Sequence, residues 1–323
     1  MEKIVIGIDV SKDKLDYSIY NGSSHSKGYI ENEIRTIQLF LRAQKTQKDL
    51  HVVMEATGTY HLKLVSCLQG RGINFSVVNP LIIKRYSESK MLRAKTDSVD
   101  ARLISIYGYE QNPALFKPRS KHQVKLISLL KAIEDLVQNK NSIENRLEAL
   151  SQTPDDVKII KNTFKQVIRI LEQKIAKLEQ EALEISITYY KDAFNRLLSI
   201  KSVGEKTALV ILAFFGCFEE FELSKQVVSY IGSNPTPRES GRSVFGRGRI
   251  SKKGNAYLRK QLFMTSLSAI QHNRACRELY HRLRTNGKEH KVARIAAMNK
   301  LVRQIFAVMK YQRDYDPNYQ FYA

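Results

Sequence analysis

Apolar and polar positions change rhythm twice along this chain. Up to residue 121, short apolar runs alternate with stretches at helical spacing. Ile4 to Val10 is apolar at almost every position, the pattern of a strand buried on both faces. Leu15, Tyr17 and Ile19 alternate with polar neighbours, which predicts a half-buried strand over 15–20, and a short third strand is predicted over 28–31. Ile34 to Leu41 reads as a helix and 51–54 as a strand. A helix over 60–69 is closed by Gly70 and Gly72, and a strand over 74–78 is ended by Asn79-Pro80. Three meandering strands followed by strands that alternate with helices predict an RNase H-like mixed sheet.

From residue 122 to 195 glycine is absent and apolar residues recur at helical intervals: Ile127, Leu130, Ile133, then Phe164, Val167, Ile170 and Leu171. The Thr153-Pro154-Asp155-Asp156 step divides the segment. It predicts two long helices that either fold back as a hairpin or form a coiled coil between subunits. Residues 196–323 form a third, mostly helical segment. It opens with two helical patterns meeting at Lys201-Ser202-Val203-Gly204, similar to a helix-hairpin-helix, in which backbone N–H groups grip a phosphate. A loop-rich tract over 232–255 follows, and then helices broken near Asn286-Gly287. The expected organisation is therefore 1–121, 122–195 and 196–323, an α/β domain followed by all-α segments.

Composition narrows the function. Hydrophobic residues make up 43% of 323, enough for real cores, yet 53 Lys and Arg face 32 Asp and Glu for a net charge of +21. Such an excess points to a polyanionic partner, nucleic acid. Cys67, Cys217 and Cys276 show no zinc spacing and read as buried apolar residues of a reducing compartment. Met1 runs directly into a strand pattern, and the longest apolar stretch, 208–215, is too short for a bilayer. A soluble cytoplasmic protein is the expectation.

Against this basic background four acids stand out. Asp9 and Glu55 end apolar strands, and Asp97 and Asp100 lie three apart at a helix start, on neighbouring positions of one face. Each has a plainer role open to it, as a turn former or as a helix cap with its partner. Together they fall on the first strand, the fourth strand and a late helix. That order suits converging carboxylates that hold two Mg²⁺ (or Mn²⁺) for phosphodiester chemistry. A second candidate region is basic: Arg238, Arg242, Arg247, Arg249, Lys252, Lys253, Arg259 and Lys260, interleaved with glycines that let backbone approach phosphate. Ser240 heads this tract as a candidate nucleophile, although Ser233, Ser243 and Ser251 compete.

At these residues the chain resembles the insertion-sequence 110 transposases, bridge-RNA-guided recombinases. The likeness lies in Gly7-Ile8-Asp9-Val10-Ser11-Lys12, Met54-Glu55-Ala56-Thr57-Gly58, Lys95-Thr96-Asp97-Ser98-Val99-Asp100-Ala101, and the stretch from Gly232 through Ser240-Gly241 to Asn255. The resemblance implies a RuvC-like domain with Asp9, Glu55, Asp97 and Asp100 as metal ligands. It also implies a helical coiled-coil insert and a C-terminal transposase domain in which Ser240 joins covalently to a DNA 5′ end. A structured noncoding RNA would pair with donor and target DNA, and dimers would assemble into a tetramer whose active sites combine one subunit's acids with another's serine. The competing expectation is a RuvC-like junction resolvase or nuclease that uses the acids without the serine. An actin-like kinase fits less well, because Val10-Ser11-Lys12-Asp13 lacks the phosphate-loop glycine after the first strand.

Overall fold

The computed structural model describes residues 3–44, 49–56, 58–91, 97–152, 157–240 and 244–318, with backbone alone at 97–99, 237–240 and 244–248. The chain divides into two units, Met1–Pro118 and Arg119–Ala323.

The first unit contains, in chain order, β1 (Ile4–Val10), β2 (Lys14–Tyr20), β3 (His25–Glu31), α1 (Ile34–Gln44), β4 (Leu50–Glu55), α2 (Leu62–Gln69), β5 (Asn74–Val78), α3 (Pro80–Ser89) and α4 (Asp97–Gln111). The sheet order is β3-β2-β1-β4-β5. The first three strands form an antiparallel meander, while β4 and β5 join β1 in parallel, with Ile8 opposite Met54. This is the RNase H-like mixed sheet the apolar pattern predicts. β1 and β4 read as continuous apolar runs because both of their faces are covered. Ile6, Ile8, Val52 and Met54 meet Ile37 and Leu41 of α1 and Leu64 and Leu68 of α2 on one side. Val5, Val53 and Val78 meet Ile83 of α3 and Leu103 and Ile104 of α4 on the other. α3 extends the sequence reading: Asn79 not only ends β5 but caps the next helix, its side chain accepting from Leu81 N at 2.9 Å with Pro80 in the first turn.

The α4 face is set by two glycines. A Cβ on Gly7 would lie 2.2 Å from Ser105 N and 2.4 Å from Ala101 O, and one on Gly108 would lie 2.6 Å from Val53 Cγ2 and 2.8 Å from Val5 Cγ1. Helix backbone therefore rests directly on strand backbone. Positions 101, 104, 105 and 108 make one helical stripe. Because 108 covers Val5 and 101 covers Gly7, α4 runs opposite to β1, and its first turn falls toward the carboxyl ends of β1 and β4.

The second unit begins with α5 (Lys121–Ser151) and α6 (Lys158–Leu198). Ser120 caps α5 in a reciprocal box with Gln123. The two helices pair antiparallel within the chain, with Lys125 to Glu181 at 2.7 Å and Lys140 to Glu172 at 3.3 Å. Thus the hairpin alternative describes this segment, and its expected Thr153–Asp156 turn lies outside the described residues. α7 (Glu205–Phe215), α8 (Ser224–Ile231), β6 (Pro235–Ser240), β7 (Val244–Ile250), α9 (Ala256–His272), α10 (Arg274–Thr285) and α11 (His290–Lys310) follow. Leu126, Leu130, Ala182 and Ile185 at the base of the hairpin share one core with α7 and α11. α6 and α7 meet at the predicted short turn, where Val203 N donates to Ile200 O.

Two expectations change. The tract expected as loop is an antiparallel ribbon, β6 against β7, with Thr236 opposite Arg249 and Ser240 opposite Val244. Among the cysteines, Cys67 and Cys276 are buried, but Cys217 is exposed, in the turn after α7. No described helix is long and apolar enough to cross a membrane.

Gly7→Ala should destabilise the protein by about 1–3 kcal/mol, since the new methyl meets backbone that cannot swing aside. Urea denaturation of the full chain measures this. Gly204→Ala, where a Cβ meets nothing within 4 Å, is the steric control and should cost less, only the loss of a favoured N-cap residue of α7.

Candidate active site

Strand alternation decides where the acids lie. Val5, Gly7 and Asp9 share one face of β1, and Val53 and Glu55 share the same face of β4, the face α4 covers. Asp9 and Glu55 stand one step beyond the Ile8–Met54 pair, at adjacent parallel strand ends. Neighbouring strands are about 4.8 Å apart, so the two carboxylates rise side by side. Asp100, in the first turn of α4, precedes Ala101, whose carbonyl abuts Gly7. Asp9, Glu55 and Asp100 are each half-buried. Asp97 is the first residue of α4, and its side chain lies outside the described residues. Among the described residues no three His, Cys, Asp or Glu side chains form a group able to hold a cation. Asp9, Glu55 and Asp100 therefore make no such group by themselves. As hard oxygen donors, the four carboxylates suit Mg²⁺ or Mn²⁺.

The same face carries residues the sequence reading missed. Asp16 sits directly across from Asp9 in the β1–β2 ladder, and its carboxylate pairs with Lys14 Nζ at 3.0 Å. Farther along, Ser105 Oγ donates to Arg102 O at 2.7 Å and lies 3.4 Å from Ser18 Oγ, which is 3.2 Å from His25 Nδ1. Both serines are fully buried, so this polar chain fills the space that Gly7 opens beneath α4. Burial, and then the Arg102 charge, hold His25 below its usual value. The clue was the polar run of β2 itself. Lys14, Asp16 and Ser18 alternate with Leu15, Tyr17 and Ile19, and they read as solvent-facing only until α4 is placed.

In the second unit, Ser240 is the last residue of β6, and Arg238 lies two positions before it opposite Gly246. Arg247 is on β7, while Arg242 lies outside the described residues. Arg249 and Lys253 are exposed, and Lys252 adopts φ +54°. Arg259 is placed differently from the rest. Its Nη1 donates to Ile231 O at 2.9 Å and Gly254 O at 3.2 Å, bracing the ribbon's foot from within. Lys260 is paired with Glu134 of α5. The foot is tight: a Cβ on Gly254 would lie 2.0 Å from Tyr230 O, and one on Gly232 2.5 Å from Gly254 N. Buried Ser233 donates to Asn299 Oδ1 of α11 at 2.6 Å, and Asn299 Nδ2 donates back to Ser233 O at 3.2 Å. Lys252 N closes onto Gly232 O at 3.0 Å. The ribbon bearing Ser240 is thus held at its base by close backbone contacts and by the side chains of Arg259, Ser233 and Asn299.

An RNase H-like sheet with acids at the ends of its first and fourth strands and on a covering helix defines a class of polynucleotidyl-transfer proteins. Residues 6–153 match the profile of a transposase family of the DEDD, IS110 type, and residues 194–281 match that of the IS116/IS110/IS902 transposase family. A pilin gene-inverting protein of Moraxella bovis is 31% identical over 324 residues, covering 98% of each chain. The transposase for insertion sequence element IS1111A of Coxiella burnetii is 23% identical, over 83% of this chain and 78% of its own. The chain belongs to the IS110 family of transposases, enzymes that cut and rejoin DNA. Among solved structures, Thermus thermophilus RuvC in complex with a Holliday junction substrate matches 35% of this chain and 99% of its own at 11% identity, with a TM-score of 0.29, too low to bear on the argument.

Buried His51 and partly buried His25 should give the first unit a pH dependence. His51 Nε2 is 2.8 Å from Ser76 Oγ, which itself bonds the carbonyls of Pro113 and Ala114 at 3.0 and 2.8 Å. The single serine proton serves those carbonyls, so His51 is the donor to Ser76. Burial, and then Lys3, lower the His51 pKa from 6.5, as burial and Arg102 lower that of His25. The unfolded chain takes up protons near 6.5 that the folded chain resists. The stability from these neutral rings is therefore fully present above that value and is lost as pH falls below it. Urea midpoints should drop between about pH 7.5 and about pH 5.5, and His51→Gln should flatten the slope.

Proposed function

We propose that this transposase is an RNA-guided DNA recombinase that breaks and rejoins donor and target strands through a phosphoserine on Ser240. Asp9, Glu55, Asp97 and Asp100 would hold Mg²⁺, with Mn²⁺ as a substitute. The observation that carries the metal reading is the seating of α4 on Gly7. It brings the helix turn containing Asp97 and Asp100 toward strand ends that already present Asp9 and Glu55 on the same face. Bound divalent cations would supply charge neutralisation at the scissile phosphate. The serine reading is supported by Ser240 lying inside the second matched transposase region, on a ribbon with a braced foot.

In this chemistry the Ser240 hydroxyl oxygen attacks phosphorus as its proton passes to a base, and the bond to the DNA 3′ oxygen breaks as that oxygen takes up a proton from solvent or from the protonated base. A free 3′-hydroxyl and a 5′-phosphoserine result. Attack by a 3′-hydroxyl from another strand reverses the step, frees Ser240 and restores a phosphodiester without external energy. Arg238, Arg242, Arg247, Arg249, Lys252 and Lys253 would receive the phosphates, with Arg259 keeping the ribbon in place. A structured noncoding RNA would choose the sites by pairing with both DNAs. Dimers assembling to tetramers in the cytoplasm would combine the acids of one copy with the serine of another.

Ser240→Ala should abolish the covalent protein–DNA adduct on denaturing gels and lower strand joining by at least ~10³-fold. Asp9→Asn should lower cleavage by ~10²-fold or more, with DNA binding retained. Undiminished joining by Ser240→Ala would replace the serine mechanism with attack by water, as in a metal-dependent resolvase. RNA that copurifies with the protein, sequenced against the flanking DNA, tests the guide.

DNA affinity should fall linearly in logarithm with salt and lose ~10³-fold or more between about 50 and about 200 mM. Arg249→Ala or Lys253→Ala should each lower the salt slope by about one, as loss of a single phosphate contact does. A flat salt dependence would remove the basic tract from the phosphate interface.

A further inference from the structure

Asn32, the residue after β3, is 2% exposed, and it joins the two chain segments that leave the candidate metal site. Its Nδ2 donates to Ser11 O at 2.9 Å, lies 3.4 Å from Lys12 O, and reaches Tyr60 O at 3.2 Å. Ser11 and Lys12 belong to the turn that follows Asp9 and β1. Tyr60 belongs to the segment between Glu55 and α2. The backbone of Asn32 strengthens the junction: its N donates to Asp13 O at 2.9 Å, and its carbonyl accepts from Lys63 Nζ of α2, also at 2.9 Å. The turn itself is closed by Ser11 N to Lys14 O at 3.0 Å and by Ser11 Oγ to Lys14 O at 2.7 Å.

The sheet aligns β1 and β4 up to the Ile8–Met54 pair and no farther. Asp9 and Glu55 are the next residues of the two strands, and the chain then leaves each in a separate connection. Asn32 bridges those connections. Its Oδ1, buried, accepts no hydrogen bond in the described structure. A residue selected for local stability alone would satisfy both ends of its amide. The orientation that leaves the oxygen unbonded is the one that turns the nitrogen to carbonyls of both segments.

We propose that Asn32 is a positioning residue for the metal site, its carboxamide holding the turn after Asp9 against the segment after Glu55 and so setting the separation of the two carboxylates. The proposal rests on the metal reading of the acids. Groups that orient metal ligands without touching the ion typically change affinity 10–100-fold when lost.

The test uses Mn²⁺ alone, titrated into the full-length protein and followed by electron paramagnetic resonance, with far-ultraviolet circular dichroism to record folding. Asn32→Ala should raise the half-saturating Mn²⁺ concentration by ~10–100-fold at unchanged helix content. Lys63→Met removes the exposed tie to the Asn32 carbonyl with little risk to the fold, and should shift the titration a few-fold in the same direction. Should Asn32→Ala not fold, Lys63→Met decides. Wild-type Mn²⁺ affinity in the variants, with binding lost in Asp9→Asn, would overturn the positioning role while leaving the metal site intact. A wild-type protein that takes up no Mn²⁺ would overturn the metal reading itself, and the role of Asn32 with it.

Discussion

The approach of α4 to β1 at Gly7 is the contact on which the first unit depends. A strand at the centre of a mixed sheet must be covered on both faces, and side chains normally keep a covering helix about 10 Å away. Here the strand residue has no side chain, and Ala101 and Ser105 bring helix backbone where a Cβ would stand. Two consequences follow. The helix axis drops toward the sheet, so its first turn descends beside the strand ends instead of passing above them. The apolar runs of β1 and β4 can then end in carboxylates, because Asp9 and Glu55 emerge at the margin where the buried face meets solvent and stay half-buried. Carboxylates so placed offer the hard oxygen donors that an oxygen-seeking cation would take.

The ribbon of the second unit meets a related constraint with the same means. A two-stranded hairpin has no core of its own and is at best marginally stable in isolation. Its order has to come from its foot. Gly232 and Gly254 let two backbone segments touch, Ser233 and Asn299 exchange hydrogen bonds beneath them, and Arg259 ties both segments from inside. A basic ribbon can therefore extend from the helical core with its root fixed, an arrangement suited to holding a nucleophile against a polyanion.

How much of this was legible in the sequence follows from where each signal is stored. β1, β4 and β5 were readable because strands buried on both faces are written as unbroken apolar runs, and Asp9 and Glu55 were conspicuous as the residues that break them. α5 and α6 were readable through long helical periodicity without glycine. The ribbon was not, because Gly and Arg are poor strand formers and its pairing is settled by the foot, far from β6 and β7 in composition. Asp16 and Lys14 were hidden by a correct local reading: polar residues alternating along β2 mean a solvent face until a distant helix covers it. Asn32 gave no signal, since an asparagine after a strand is an ordinary turn residue and its partners lie twenty to thirty positions away in sequence. Arg259, counted with the phosphate-binding residues, could not be told from them by spacing.

The charge of the chain turns these pieces into a mechanism. A protein of +21 attracts polyanions, yet the proposed chemistry needs a phosphate beside the proposed acids. Carboxylates alone would repel that phosphate. With divalent cations bound, the same acids would instead attract it. The arginines and lysines of the second unit would serve a different end, holding DNA backbone with a screened, sequence-independent attraction. Neither charge reads bases, and for that reason the proposal assigns sequence choice to an external guide.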